Sequence, residues 1–425
     1  MAFTADLHIH GRYSQATSKN INIENLEKYA RIKGINLLGT GDFTHPKWIE
    51  ELKSNLTEDS TGILKTKTGF PFMLQTEISL IYTQGGKGRR IHNLVYAPDF
   101  ETVSQITDYF LSKGRIDYDG RPIFKIPCPE FVESLRSINK KIEIIPAHIW
   151  TPWFGMLGSK SGFDSIKECF EDQTKHIHAL ETGLSSDPPM NWRLSQLDKY
   201  NLVSNSDLHS FWPWRMGREA NILDCNMTYD EIIKAFQTKQ GFKGTIEVDP
   251  AYGKYHYDGH RNCNFCSSPK KTIELNNICP VCRKPLTIGV EYRVEELADR
   301  PEGYKPEGAL PFYSLIPLSD IISIIIGKSV ATQAAWKEYH KLVRDGRSEL
   351  DVLMHTPIEE LKKDVDEKIA EAIIKVREGK VRVKPGFDGE YGVPVFDNSI
   401  ENQKDKQEEC IVKNRTPQKG LDEFN

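Results

Sequence analysis

No apolar stretch in this sequence approaches the roughly 20 residues that cross a membrane. The longest, residues 321–326, is interrupted by Ser323 and closed by Gly327. Nor is there a surplus of one charge: 56 basic against 60 acidic side chains leave a net charge of -4. Any contact with nucleic acid must then come from local basic patches, because the global field does not supply it. The opening residues, MAFTADLHIH, hold no basic segment followed by an apolar run. No secretory signal is expected, and the cytoplasm is the default compartment. A disulfide framework is missing too. Of eight cysteines, four fall in two CxxC pairs, while Cys128, Cys169, Cys225 and Cys410 are scattered. That distribution suits reduced thiols around one metal site better than cross-links. No internal repeat is evident.

What is present is an ordinary globular composition, 38% hydrophobic and 27% charged. The 425 residues suffice for two or three domains. Up to residue 248, β-branched apolar runs alternate with amphipathic stretches. Strands are expected at 3–10, 35–40, 70–82, 91–97, 142–148, 176–181, 202–206 and 242–248. Helices are expected at 23–33, between Asn22 as cap and Gly34 as stop, and at 228–240 before Gly241. The alternation predicts an α/β domain with a largely parallel sheet, whether closed or open. Residues 249–295 are rich in Cys, Lys, Pro and Asn and show little periodicity, so something other than an apolar core must hold them. From 296 the pattern turns helical, with Thr356 and Pro357 opening a helix over 358–378. The charged stretch from about 398 reads as a flexible tail. The expected divisions are thus 1–248, 249–295, 296–397 and 398–425.

In Ala5-Asp6-Leu7-His8-Ile9-His10, side chains two apart share one face of a strand, so His8 and His10 project together with Asp6 behind them. Two imidazoles on one face suit zinc, manganese or iron. Further donors stand at or near strand ends: Asp42, Glu77, His92, His148, Asp207 and His209. Carboxyl ends of successive parallel strands are where α/β enzymes build sites. An N-terminal HxH, an acid after the second strand, an acid in the third and a terminal DxH resemble the polymerase and histidinol phosphatase (PHP) superfamily. The resemblance implies a distorted (βα)7 barrel binding two or three divalent ions (zinc, manganese or magnesium) that hydrolyse phosphate esters. It makes His8, His10, Asp42, Glu77, His92, His148, Asp207 and His209 ligands, with Glu77 bridging two ions. Catalysis would rest on His8, His10, Asp42, Glu77, His148 and Asp207. Asp42 stands where the family has a histidine, and His45 is the alternative. Where the family has an aspartate after HxH, this sequence has Ser14-Gln15; Glu181 either compensates or supports the ligands from behind.

Cys263-x2-Cys266 and Cys279-x2-Cys282, twelve residues apart, have zinc-ribbon spacing for four thiolates around one structural zinc. Lys270, Lys271, Arg283 and Lys284 surround them and either meet phosphate or stay solvated. A PHP barrel, a four-cysteine site and a helical C-terminal domain together resemble the endonuclease Q family over nearly the whole chain. The phrases GTGDFTHP, PAHIWTPWFG, ETGLSSDPPMNWRLS, NSDLHS, GVEYRVEELADRP and PGFDGEYG carry that resemblance. It implies DNA incision 5′ to uracil, hypoxanthine, xanthine or an abasic site. Trp150, Trp153, Phe154, Met156 and Lys160, and Trp212, Trp214, Arg215 and Arg218, are the candidate DNA-contacting loops, or else barrel-rim packing. Lys87, Arg89 and Arg90 form a further basic cluster. At the C-terminus, Gln418, Leu421 and Phe424 resemble a sliding-clamp (PCNA) interaction motif, with Asn425 where a second aromatic is usual. Two other readings stay open: a small-molecule PHP phosphatase, and a non-catalytic scaffold that binds DNA and clamp.

Overall fold

The computed structural model describes residues 2–344 and 346–396, together with the backbone of 409–411. The expected clamp-binding residues Gln418, Leu421 and Phe424 lie outside the described residues.

The wall of the N-terminal region is a ring of strands in three hydrogen-bonded groups: β1 (Phe3–Asp6), β2 (Leu37–Gly39), β3 (Pro71–Met73), β4 (Gln75–Gln84), β5 (Lys87–Tyr96), β6 (Glu143–Pro146), β7 (Ala179–Glu181) and β8 (Asn201–Val203). β1 pairs in parallel with β2, and β2 with β3. β3 runs through Leu74 into β4, so the pair is one wall strand with a break, and the expected strand at 70–82 divides there. β7 and β8 pair in parallel. The ring closes where His10 N–H donates to the Leu208 carbonyl at 3.0 Å and Leu208 N–H to that of His8 at 3.3 Å. Counted this way the wall has seven strands, a distorted α/β barrel as expected.

Two departures from the expected sheet have local causes. β4 and β5 form an antiparallel hairpin in full register from Gln75↔Tyr96 to Gln84↔Lys87. Gly85 and Gly86 supply the left-handed residues (φ 60 and 73) that its two-residue turn requires. The strand at 242–248 is not in the wall. Phe242–Glu247 pairs with Ala220–Leu223, which pairs antiparallel with the outer side of β1. Phe312–Ser314 extends this wing.

The helix Ile23–Lys33 starts at Asn22, whose side chain accepts the Asn25 N–H, and stops at Gly34. The helix expected over 358–378 is two, Ile358–Asp364 and Glu367–Arg377, because Asp366 leaves the helical path and caps the second by accepting from Lys368 N–H. These helices, with Leu318–Ile326 and Gln333–Leu342, bury their apolar faces in the same core that fills the barrel flank. An ion pair buried on both sides joins the two parts. Lys33 Nζ lies 2.6 Å from Glu349 Oε1, and Glu349 also accepts from Leu318 N–H and the Tyr339 hydroxyl. Burying such a pair is costly unless its oxygens are fully hydrogen-bonded, as they are here.

Candidate active site

β1 ends at Asp6, so His8 and His10 sit just beyond the strand rather than on it. They still converge, with ring centroids 5.3 Å apart. Asp6 stays behind them, accepting from the backbone of Ser206 and Gly217, and burial raises its pKa to about 6. At the carboxyl ends of the ring, two donor groups form: His8, His10 and Asp207, and Glu77, His92 and His148, each with ligand atoms within 4.8 Å of one another. Glu77 lies between them. Its Oε1 is 2.8 Å from His92 Nδ1, 3.0 Å from His148 Nε2 and 3.6 Å from His8 Nε2; its Oε2 is 3.5 Å from His10 Nε2.

Asp42 is not among the converging donors. It accepts from His10 Nδ1 at 2.9 Å, from Gly11 N–H and from the Ser14 hydroxyl, which uses both its oxygens behind the ring. The family resemblance implied a ligand here; the contacts made by Asp42 are those of a group behind His10. Glu181 does the same for His8, at 3.1 and 3.0 Å from Nδ1, and also accepts from His148 N–H and Asn205 Nδ2. Thr151 Oγ1 stands 2.9 Å from His148 Nδ1. Three imidazoles are thus tied at Nδ1 and aim Nε2 at the centre, the arrangement that fixes metal-binding histidines. His209 lies outside both groups; its Nδ1 faces the Asp207 carbonyl at 2.9 Å and its ring edges His10. His45 stacks on Tyr13, and Gln15 is exposed and donates its N–H to Asp119, so neither joins the centre. Asp42, His148 and Asp207 all take left-handed backbone angles (φ 40, 31 and 47). Non-glycine residues persist there only where the surroundings impose it, commonly at functional sites.

The donor set fits divalent metal ions. His8 Nε2 and Glu77 Oε2 are buried with no hydrogen-bond partner among the described residues. Burial alone would lower the His8 pKa, but Glu181, Asp207 and Glu77 outweigh it and hold the ring well above the ordinary histidine value. Burial opposed by Asp42 and Asp207 leaves His10 raised to about 9. Glu77 and Asp207 are held well below the carboxylate range, against burial, by the histidines around them. His8 and His10 favour their protonated form among ionised carboxylates, and a divalent cation binding there would displace those protons.

Around this centre the aromatic loops divide. Trp150 is fully buried and donates Nε1–H to Asn191, and Met156 is buried as well; both are core. Trp153 is 52% exposed with the Arg90 guanidinium 5.5 Å over its ring, and Phe154 packs on His92. Lys160 is exposed. Trp212 and Trp214 stack at 5.3 Å and pack against Trp336 of the C-terminal helices, so they join two parts of the fold. Arg218 donates to the Ser206 carbonyl, and Arg215 is half-buried. Lys87 is exposed, and Arg89 stacks over Phe163. One residue was passed over in the sequence reading: Arg121, whose Nη1 lies 3.6 Å from Glu77 Oε2. Nothing in the local sequence Asp119-Gly120-Arg121-Pro122 announces it.

The thiol site also differs from its spacing. The group that closes within 4.8 Å is His260, Cys263, Cys279 and Cys282, with Cys282 Sγ 3.1 Å from His260 Nδ1. Cys266 is not in it. In the hairpin of Asp258–His260 with Phe265–Ser267, His260 pairs with Phe265 and Cys266 with Gly259, so alternation turns Cys266 to the opposite face. Lys270, Arg283 and Lys284 are exposed around this site, and Lys271 pairs with Glu274.

Residues 317–380 match the family model of the MJ0043 C-terminal domain. The chain is 30% identical to the uncharacterized protein YqxK of Bacillus subtilis over 91% of this chain and 98% of that one. It is 34% identical over 249 residues to the uncharacterized protein MJ0043 of Methanocaldococcus jannaschii, covering 57% of this chain but only 31% of that protein's length. Two solved structures superpose on nearly the whole fold. One is the lesion-specific endonuclease PfuEndoQ of Pyrococcus furiosus (TM-score 0.84, 31% identity, 95% of this chain and 98% of that one). The other is an endonuclease Q complexed with a 27-mer duplex carrying an abasic lesion at the active site (TM-score 0.83, 31% identity, 96% and 99%). Among the described residues no helix is long and apolar enough to cross a membrane.

Proposed function

Because the chain belongs to the endonuclease Q family, we propose that it is a metal-dependent DNA repair endonuclease that hydrolyses the phosphodiester 5′ to a damaged nucleotide. Deaminated bases (uracil, hypoxanthine, xanthine) and abasic sites are the substrates. The observation that carries the reading is the Glu77 carboxylate standing between the two donor groups. His8, His10, Glu77, His92, His148 and Asp207 would hold the ions, with Glu181 and Asp42 fixing His8 and His10. Two ions bound there would lower the pKa of water and neutralise phosphate charge. The chain's own side chains do the positioning. Nδ1 contacts keep the imidazoles aimed, and the partly exposed Asp207 would face the incoming DNA. Exposed Trp153, with Arg90 beside it, is the surface for an unstacked base.

His260, Cys263, Cys279 and Cys282 would take one structural zinc. Gln418, Leu421 and Phe424 would bring the enzyme to a sliding clamp. A clamp that captures the full chain equally with one lacking residues 418–425 would remove that part.

The test is incubation with manganese or magnesium on labelled duplexes that differ by one uracil, hypoxanthine or abasic site. A single nick 5′ of the lesion, absent from the control, is expected. No cleavage of any duplex, with turnover of small phosphomonoesters, would replace this function with that of a phosphatase.

A further inference from the structure

Arg121 has features that a structural arginine lacks. Its side chain is 20% exposed, and the guanidinium makes no side-chain hydrogen bond among the described residues. Its nearest partner, Glu77 Oε2, is 3.6 Å away, beyond hydrogen-bond reach. Glu77, Asp207, Asp119 and Asp42 hold its charge against the cost of burial. Five N–H donors are thereby kept at the edge of the metal-binding donors with little to bind.

The placement is rigid. Arg121 N–H donates to Asp119 Oδ1, which also accepts from Gln15 N–H. Gly120 N–H donates to the Tyr13 carbonyl, and the Pro122 carbonyl accepts from Ser79. Beyond Pro122 the chain joins β4, with Ile123 opposite Ser79. Gly120 is pressed so close to the centre that a Cβ there would collide with Ser14 Oγ and Asp42 Oδ2. The loop is clamped on both sides of the arginine, and the clamp aims it at the site.

Resting on the phosphodiester hydrolysis proposed above, we propose that Arg121 is a catalytic residue whose guanidinium binds a non-bridging oxygen of the scissile phosphate. The fork of an arginine matches two phosphate oxygens, and its charge does not titrate in the working range. A substrate anion that approaches the Glu77 and Asp207 carboxylates needs a fixed cation, and charge that builds on the phosphoryl oxygens during attack falls within its reach.

The experiment compares wild type with Arg121→Ala and Arg121→Lys on the lesion duplex, alongside bound metal, melting temperature and affinity for inorganic phosphate. For Arg121→Ala, kcat should fall on the order of 100- to 1,000-fold, as for loss of one transition-state donor. KM should change little, metal content and melting should match wild type, and phosphate should bind at least about tenfold more weakly. Added guanidinium should restore part of the rate, and Arg121→Lys should be intermediate. An unchanged kcat, or a loss accompanied by metal loss and no guanidinium rescue, overturns the proposal and leaves Arg121 as a support for Glu77. If wild type nicks no DNA, the proposed function fails separately. The variants are then compared on bis(4-nitrophenyl) phosphate, where equal rates would overturn the role of Arg121.

Discussion

Glu181 stands directly behind His8, with both carboxylate oxygens within hydrogen-bond reach of Nδ1, at 3.1 and 3.0 Å. The same carboxylate accepts the backbone N–H of His148 at 2.8 Å. One buried side chain therefore sets the tautomer and direction of a donor in the first group and the backbone of a donor in the second.

Glu181→Gln tests that relationship. The amide still fills the space, but without the carboxylate charge it favours Nδ1–H on His8 less strongly. Metal affinity should fall about 10- to 100-fold, the usual consequence of losing an outer partner of a ligating histidine. A chelator-competition titration measures this. Equal affinity in variant and wild type would mean that Glu181 only fills space.

That His8, His10, Glu77, His92, His148 and Asp207 converge was legible because each stands at or near the end of an apolar run, and strand ends meet in a closed α/β wall. The role of Asp42 was not. A carboxylate beside two histidines looks the same in sequence whether it faces the metal or the back of the ring, and only its bonds to His10, Gly11 and Ser14 decide it. Arg121 was invisible for a different reason. It reaches the centre through long-range pairing of its loop with Tyr13 and Ser79, and local pattern carries no trace of that. The wing strand Ala220–Leu223 was missed because four residues among turns make no periodic signal.

The thiol site makes a prediction on which spacing and geometry disagree. Spacing names Cys266 as a ligand; the strand face names His260. Cys279→Ser and His260→Ala should each lower bound zinc and melting temperature, whereas Cys266→Ser should keep one zinc per chain at this site. Zinc counted by mass spectrometry of the native protein decides it. Loss of zinc on Cys266→Ser with retention on His260→Ala would restore the four-cysteine reading.

Trp150 and Trp153 stand three residues apart in one loop and should behave oppositely. Trp150, fully buried, fills core space, and Trp150→Ala should cost about 3–5 kcal/mol of stability. Trp153, exposed beside Arg90, should leave melting unchanged when cut to alanine. It should instead weaken binding to lesion duplex by about 1–3 kcal/mol, the range for one base stacked on an aromatic ring. Wild-type DNA affinity in Trp153→Ala would take this ring out of the interface.

The pH dependence of stability should carry the mark of Glu247. Burial, with a further push from Asp187, raises this carboxyl to about 8, although the Thr245 and Thr182 hydroxyls donate to it. The folded chain keeps the proton that an unfolded glutamate releases near its ordinary 4.5. The contribution is therefore fully present below about 4.5 and is lost as pH rises through about 8, with a slope of up to about 1.4 kcal/mol per pH unit for each proton. Neighbouring Glu219, raised by burial and by Glu247, acts in the same direction. Glu247→Gln has no proton to lose and retains an oxygen for one of the two threonine hydroxyls, while Thr182 keeps its second acceptor, the Val203 carbonyl. Urea unfolding between pH 5 and 9, run on wild type and variant with the same metal load, reads Glu247 together with the part of the Glu219 shift that Glu247 causes. The variant should lose stability less steeply with rising pH and gain on wild type most above pH 7. Parallel curves across the whole range would mean that Glu247 is already ionised in the folded chain, and that its two threonine donors outweigh its burial.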